Sequence, residues 1–572
     1  MGDVLFLALR RLRAPLISII CVYAVAIAGL TLIPGVDGNG NLAPMSFFHA
    51  FYVTTYTATS LGFGEIPHAF TDAQRMWITF SIYLSVVAWA YSLGTVISLT
   101  SDGTFRSMLV RSLFNWRAGG LAESFYIVCG YGQSGAALAR ALDGHGVRVV
   151  VIEPRAERVD RMVLEDYLTP PLAITGDARI PDVLEDCGIH SRHCAGLIAL
   201  AGDDGVNQAI AIGARVLNPE LLIVARAKSP EAGINLAAFE GVRVINPFDT
   251  FAENLRLALK SPEVLRAEEW LTATAGTPCP AQLRVPRGRW VLVGFGRFGH
   301  ALGAMLDAEG IEWKALDPSA PQEPGGRVIR GTHTEDLLQH AGIGQADVLV
   351  AGAAVDAVNL GVTTLARQLQ PGLFIVIRQN HAQDRALIHA ARANVEFVQS
   401  DLMVHECLQI LHTPMLGRFV ALLRKAGGAL AERVVTRVRE ASGDCAPLAW
   451  AFECDVMQPG MFSAFFQRAG APLRIDHLAM DPVNPVERLC VTALLLERGG
   501  DALLLPDETT ELKPGDRILF VGDQRARHQQ ARYRYEPGTV ALVCSGVEPP
   551  RSALFRWWRR RAARVNPETS QG

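Results

Sequence analysis

Two apolar stretches, residues 16–33 and 76–99, are the ones in this 572-residue chain long enough to cross a bilayer, and the second carries no charged side chain. Arg10, Arg11 and Arg13 precede the first stretch, and Arg106, Arg111 and Arg117 follow the second. The loop between them holds Asp37, Glu65 and Asp72 against a single Arg75. Basic flanks stay on the cytoplasmic side, so the expectation is a helical hairpin with both termini in the cytoplasm. A cleaved signal peptide is the alternative for the first stretch, but no small-residue cleavage site precedes Pro34 convincingly, and the second span would still need a partner. Roughly 470 residues follow Thr100 without another span, enough for about three ordinary domains. Lys and Arg number 54 against 57 Asp and Glu, and the net charge of −3 gives no reason to expect nucleic acid as a partner. The ten cysteines show no paired metal-type spacing, so reduced, buried thiols are expected.

Between the two spans lies Thr57-Ala58-Thr59-Ser60-Leu61-Gly62-Phe63-Gly64-Glu65. Thr59, Ser60, Leu61, Gly62, Phe63 and Gly64 match in character the loop whose backbone carbonyls replace the hydration shell of K+. The glycines are the strict part, because successive carbonyls face one axis only if the backbone alternates between ordinary and positive φ. Ser60 keeps a hydroxyl, Leu61 an aliphatic wall, and Phe63 the aromatic ring without its phenol. Residues 47–57 ahead of this loop are apolar and aromatic and are introduced by Pro44 and Ser46, which predicts a short helix. Its negative C-terminal end would be aimed at a cation.

The soluble part contains a duplication. A short apolar strand, residues 125–129, runs into Gly130-Tyr131-Gly132-Gln133-Ser134-Gly135 and a helix; residues 290–293 run into Gly294-Phe295-Gly296-Arg297-Phe298-Gly299 and a second helix. A lone glycine loop of this kind is weak evidence. Here each is followed by another strand ending in an acid, Glu153 or Asp317, which marks a dinucleotide-type fold. The glycines let phosphates approach a helix N-terminus, and the acid accepts from ribose hydroxyls. The match continues through Gly176 and Gly331, Asp204-x-x-Asn207 and Asp356-x-x-Asn359, then Arg226 and Arg378. Each copy predicts a doubly wound α/β domain.

On these motifs the chain resembles bacterial two-transmembrane potassium channels with tandem RCK (also called KTN or TrkA-N) domains, similar to the multi-ligand-gated members. The resemblance covers residues 10 to 535. It implies an α-helical pore module at 1–100, a gating linker at 101–123, a first Rossmann-like RCK domain at 124–284, a second lobe at 285–430, an α+β C-terminal subdomain at 431–545 and a basic tail at 546–572. It further implies a homotetramer in the lipid bilayer of a bacterial inner membrane, with K+ as permeant ion and a cytoplasmic gating ring. NAD(H), ADP or ATP, and in some members Ca2+, are the regulatory ligands. No catalytic residue is expected, and no metal ligand is assigned.

Carried over position by position, the resemblance places the first nucleotide site at residues 130–135 with Glu153, Asp177, Ala178, Asp203 and Arg226. The second site takes residues 294–299 with Asp317, Thr332 and Arg378. Asp177 stands where Thr332 stands in the second copy, and Arg297 and His333 add positive charge there, so the two sites are expected to differ. Leu61 and Phe63 depart from the family's filter and Glu65 replaces its usual Asp, which keeps a nonselective cation channel as the alternative. Gly94 is the one glycine in the second span, and no hinge is assigned. Helical patterns over 250–276 and 401–423 are read as crossovers following each lobe. The tail, with Arg556, Trp557, Trp558 and Arg559 to Arg561, could touch anionic lipid, but such a basic terminus is more often a solvated or docking segment. A membrane-anchored dehydrogenase is the less favoured class, since no substrate domain or Tyr-x-x-x-Lys accompanies either loop.

Overall fold

The computed structural model describes residues 2–37, 41–59, 61–273, 275–320, 326–412, 414–454, 472–535 and 539–545. Ser60 and the basic tail lie outside them. The chain divides into two compact units. The first takes in the described residues up to 127 with 150–164 and 170–195; the second takes in 128–149, 165–169 and the described residues from 196 onward.

In the first unit, α1 (Gly2–Leu32) and α3 (Asp72–Ser101) are both long and apolar enough to cross a membrane. Both run beyond the apolar stretches. The side chain and backbone of Thr71 form a capping box with Gln74, which starts α3 at Asp72, and nothing in Arg10, Arg11 or Arg13 stops α1. Large apolar side chains on these helices face outward, among them Ile20, Val87 and Leu93. Trp77 ties the helices together. Its Nε1 donates to the Ala26 carbonyl at 3.1 Å, and a Cβ on Gly29 would lie 1.9 Å from its indole. Between the spans come an antiparallel pair, β1 (Pro34–Val36) and β2 (Leu42–Pro44), and α2 (Phe47–Ala58). Ser46 caps α2 by accepting the His49 N–H. Ile27, Leu30, Ala50, Val53, Tyr56 and Phe70 make a small core among α1, α2 and the loop before α3. After α3 the chain continues as α4 (Gly103–Gly119), where Arg111 bonds to Asp186 and Asn115 donates to it at 3.0 Å. Asp186 ends α7 (Pro181–Asp186).

The strands of the first α/β lobe are β3 (Phe125–Cys129), β4 (Arg148–Glu153), β5 (Leu172–Thr175), β6 (Cys194–Ala199), β7 (Leu222–Arg226) and β8 (Val242–Ile245). Their sheet order is β5-β4-β3-β6-β7-β8. The second lobe has β9 (Trp290–Val293), β10 (Trp313–Asp317), β11 (Val328–Arg330), β12 (Val348–Ala351), β13 (Phe374–Gln379) and β14 (Val395–Val398) in the order β11-β10-β9-β12-β13-β14. All its pairings are parallel. The order matches strand for strand, so the duplication read from the sequence is a duplication of the fold. Near-continuous apolar runs such as Val348–Ala351, fully buried, are what a sheet covered on both faces requires.

The helical pattern at 250–276 is two helices rather than one: α10 (Pro247–Lys260) and α11 (Pro262–Thr272), with Pro at the first helical position of each. Pro262 lacks the N–H a continuing helix would need, so the chain turns at Ser261. Phe251 of α10 meets Phe397 at 4.4 Å, and Phe397 stacks on Phe298 at 4.8 Å, within a core that runs through both crossover segments. The match after the second lobe is α16 (Gln399–His412) and α17 (Pro414–Ala426), followed by α18 (Gly428–Ser442). Arg424 of α17 grips the buried Glu268 of α11 with two hydrogen bonds, at 2.8 and 2.5 Å. The chain then forms an antiparallel sheet of β15 (Leu448–Glu453), β16 (Val491–Arg498), β17 (Asp501–Leu504) and β18 (Arg517–Gly522), ordered β15-β18-β16-β17. The Lys513-Pro514-Gly515-Asp516 turn leads into β18, and the buried Asp516 takes Arg498 at 2.7 and 2.8 Å.

Candidate functional site

The loop after α2 has the backbone its glycines predict: φ is +64° at Gly62 and +85° at Gly64. Thr59 caps α2, its N–H bonding to the Thr55 carbonyl at 3.0 Å, and the Leu61 N–H bonds back to the Tyr56 carbonyl at 2.9 Å. Leu61 and Phe63 are exposed. The Phe63 ring lies parallel to Tyr52 at 6.3 Å and edge-on to Tyr56 at 5.7 Å. Glu65 is held by Arg75 at 2.8 and 3.2 Å and by the Phe70 N–H at 2.9 Å. The Tyr56 hydroxyl donates to the Gly64 carbonyl. Neither Tyr56 nor the Arg75 pairing was expected, though an aromatic on the last turn of the helix before a glycine loop is a signal that could have drawn attention to it.

The two glycine loops have nearly one backbone. Gly130 has φ +99° and Gly294 φ +90°, and a Cβ there would lie 3.2 Å from Ala201 and 2.9 Å from Ala353. The third glycine serves close packing: a Cβ on Gly135 would lie 1.9 Å from the Gly130 oxygen, and on Gly299 2.5 Å from the Gly294 oxygen. Gly132 and Gly296 are the N-caps of α5 (Gln133–Gly144) and α12 (Arg297–Ala308), and a Cβ at Gly296 would meet nothing within 4 Å. The helix N-termini thus open at the loops. Ser134 is buried and Gln133 exposed.

The repeated Asp-x-x-Asn is architectural. Asn207 accepts the Ala201 N–H at 2.8 Å and donates to the Ala201 and Arg226 carbonyls; Asn359 does the same with Ala353 and Arg378. Asp204, opening α8 (Asp204–Leu217), accepts the N–H groups of Lys228 and Ser229, and Asp356, opening α14 (Asp356–Leu369), those of Asn380 and His381. Asp203 is spent as the N-cap of α8, accepting the Val206 N–H at 3.0 Å.

Around this shared frame the side chains diverge. Arg226 is 6 % exposed and donates to the Ala201 carbonyl at 2.5 Å, whereas Arg378 lies over the rings of Phe248 and Phe298 at 5.2 and 5.6 Å. Arg297 is exposed, with one guanidinium nitrogen 4.0 Å from the Asp204 carboxylate. Lys228 is pushed down to about 8 by burial and by the neighbouring Arg226 and Arg297. Lys228 was absent from the expected site, although Asn380 in the matching position of the second copy is the contrast that would have revealed it.

Tyr131 is bonded through its hydroxyl to Tyr167, and Asp143 accepts the N–H groups of Leu168 and Thr169 at 2.6 and 2.8 Å, which folds 165–169 onto the first loop and its helix. Phe295, its counterpart, instead stacks on Trp313 at 5.2 Å and touches His300. Phe298 is 1 % exposed and belongs to the core.

Asp317 accepts the Phe295 N–H at 2.7 Å and the Ser319 N–H at 2.7 Å. Thr332 is exposed. His333 does not add the positive charge expected of it. Burial holds its pKa below the ordinary histidine value, so the ring is neutral at physiological pH, with Nε2 buried and unpaired. In the other unit, Glu153 is 2 % exposed and accepts the Arg155 N–H at 3.3 Å. Asp177 is gripped by Arg179 at 2.6 to 3.0 Å, which holds its carboxyl below the usual range, and Ala178 is buried. Asp356, His381 and Asp384 could together hold a metal, their donor atoms lying within 4.8 Å of one another, but the Asp356 carboxylate is already committed to the turn it ties.

A tandem pair of doubly wound lobes with glycine loops at helix N-termini, preceded by two membrane-length helices, defines the class. Both lobes are TrkA-N domains, matched over residues 126–247 and 290–398. The chain is accordingly a tandem-RCK relative of potassium channels, as its motifs indicated. Over 40 % of its length it is 28 % identical to potassium channel protein 1 of Methanocaldococcus jannaschii, covering 67 % of that protein. Over 24 % of its length it is 30 % identical to the Trk system potassium uptake protein TrkA homolog of Pyrococcus horikoshii, covering 60 % of that protein. Among solved structures, the GsuK channel bound to NAD aligns over 94 % of this chain and all of that one, at 16 % identity and TM-score 0.47.

Proposed function

We propose that the chain is a ligand-gated potassium channel: a homotetramer in a bacterial inner membrane, passing K+ passively, with nucleotides at the TrkA-N lobes setting its open probability. The observation that carries this reading is the positive-φ pair Gly62 and Gly64 in a capped loop between two membrane-length helices, the conformation a ring of inward carbonyls demands. Relatives named for potassium transport support the choice of ion.

The division of labour follows the sequence. Residues 1–100 form the pore and 124–430 the two regulatory lobes. The linker helix α4, tied to α7 through Arg111, Asn115 and Asp186, carries movement of the first lobe to α3. NAD(H) or an adenine nucleotide would place its phosphates at the N-termini of α5 and α12 and its ribose hydroxyls at Glu153 or Asp317. A ligand acts only by binding one state better than the other. Ca2+ is a further candidate ligand, with no seat assigned. The chain acts as a regulator and conduit rather than an enzyme.

Reversal potentials of the purified protein in bilayers, under opposed K+ and Na+ gradients with and without nucleotide, test the reading. A K+-directed potential whose current changes with nucleotide is expected, and Gly62→Ala should abolish the current while leaving tetramers intact. Leu61 and Phe63, which depart from the family's filter, favour the second reading, a nonselective cation channel; a potential indifferent to the K+/Na+ exchange would establish it.

A further inference from the structure

Tyr56 sits at the end of α2 with 5 % of its surface exposed, packed in the small core with Ala50, Val53 and Phe70. Its hydroxyl has one partner among the described groups, the carbonyl oxygen of Gly64. That bond does nothing for the helix. The backbone of this turn is closed without it, by the Thr59 N–H on Thr55 and the Leu61 N–H on the Tyr56 carbonyl, at 3.0 and 2.9 Å. What the phenol restrains is the far end of the glycine loop. Phe63 cannot supply such a hydroxyl, and its ring lies against Tyr56 at 5.7 Å, so the pore helix provides the polar anchor that the loop's own aromatic residue lacks. The next residue is anchored too, Glu65 taking Arg75 and the Phe70 N–H. Tyr56, Gly62, Gly64, Glu65 and Arg75 line one cavity of about 430 Å³.

We infer that Tyr56 is a positioning residue that sets the cation preference of the loop. A carbonyl oxygen that accepts from a buried phenol has part of its lone-pair capacity committed to the protein, and the loop end can neither turn freely toward a permeating ion nor close on a smaller one. Discrimination between K+ and Na+ depends on how many carbonyl dipoles face the ion and how far they can follow it. The inference rests on the channel reading and names the residue that tunes its selectivity.

The test is the K+/Na+ permeability ratio, from reversal potentials of the full-length protein in bilayers, for wild type, Tyr56→Phe and a variant carrying 4-aminophenylalanine at position 56. Tyr56→Phe deletes only the hydroxyl. Current should persist and the ratio fall at least about fivefold, whereas a residue that merely fills space would change the yield of tetramers and leave the ratio alone. The amino variant keeps a donor in place and should retain the wild-type ratio. An unchanged ratio in Tyr56→Phe, or a changed one in the amino variant, overturns the inference while leaving the channel reading intact. If Tyr56→Phe does not assemble, 4-fluorophenylalanine at position 56, which fills the place of the hydroxyl without a donor, takes its part: a lowered ratio supports the inference and an unchanged one overturns it. A wild type that conducts no cation overturns both.

Discussion

In the first TrkA-N lobe the carboxylate that opens α8, Asp204, faces a partly buried lysine and lies 4.0 Å from Arg297 of the second lobe's glycine loop. In the second lobe the equivalent Asp356 faces Asn380 and His381 in place of a lysine and a serine. The backbones around these carboxylates are almost the same: both tie two N–H groups of the turn after the strand, and both sit beside an asparagine that staples three backbone groups. The difference teaches which residues the fold spends on itself. Asp204, Asn207 and their partners Asp356 and Asn359 recur because a buried turn must satisfy its N–H and C=O groups. Lys228, Arg297, Tyr131 and His333 do not recur, and the lobes' ligands are to be sought in those positions.

The largest effect that could break this comparison concerns ligand identity. Gly132→Asp and Gly296→Asp each put a carboxylate where phosphates would approach a helix N-terminus, and at Gly296 the added side chain meets open space. Each should weaken its own site by about a hundredfold or more, about 3 kcal/mol. Since Arg297 offers the second loop an exposed guanidinium, ADP or ATP should be lost with Gly296→Asp and NAD(H) with Gly132→Asp. Calorimetry on the purified protein reads this directly, and loss of the same ligand to the same extent in both would make the pockets equivalent.

The second test sharpens the claim that the backbone is shared. Gly130→Ala and Gly294→Ala should each cost about 2–4 kcal/mol, from positive φ and from a Cβ driven against backbone. Gly294→Ala should be the worse, because its Cβ would lie 2.9 Å from Ala353 against 3.2 Å for Gly130 and Ala201. Thermal unfolding of the two variants, followed side by side, would show the order.

A smaller effect separates the lobes by pH. Lys228 titrates at about 8 in the folded chain against 10.5 for an ordinary lysine. Between these values the unfolded chain binds more protons than the folded one, so this residue makes stability rise with pH across that window. Its charge falls over the same range, and an anionic ligand held near it should bind roughly three- to tenfold more weakly at pH 9 than at pH 7. Lys228→Gln should flatten that dependence, and the second site, which has Asn380 in the matching position and feels Lys228 only through Arg378 and Arg297, should show a weaker one. Titrations at the two pH values, with wild type and Lys228→Gln, decide the matter.

The smallest effect is local. Tyr131→Phe removes one hydroxyl contact to Tyr167, worth about 1 kcal/mol, and should speed amide exchange at 165–167. Phe295→Leu, in the second lobe, should leave that segment untouched.

Much of this organisation could be read along the chain. The spans, the glycine loops, the order of strands and the Asp-x-x-Asn repeats are local patterns, each fixed by a few neighbouring residues. The extents of the helices were partly legible, since Thr71 and Gln74 form a capping box in plain sequence. Partners distant in sequence were not. Glu268 meets Arg424, and Phe251 meets Phe397, only once the crossover helices have packed. Phe298 read as part of a ligand loop and turned out to face the core, because a loop motif does not say which way its fifth side chain points.

By itself, the sequence determined that this protein has two membrane-length helices around a glycine loop and two copies of one α/β unit, because apolar length and glycine spacing act within a single segment. Only the tertiary structure decided the states of the charges: Asp177 paired with Arg179, His333 neutral, Lys228 shifted down, and the Tyr56 hydroxyl on Gly64. A side chain's pKa or hydrogen-bond partner depends on burial and on groups within a few ångströms, and those neighbours are chosen by how segments pack rather than by their order in the chain.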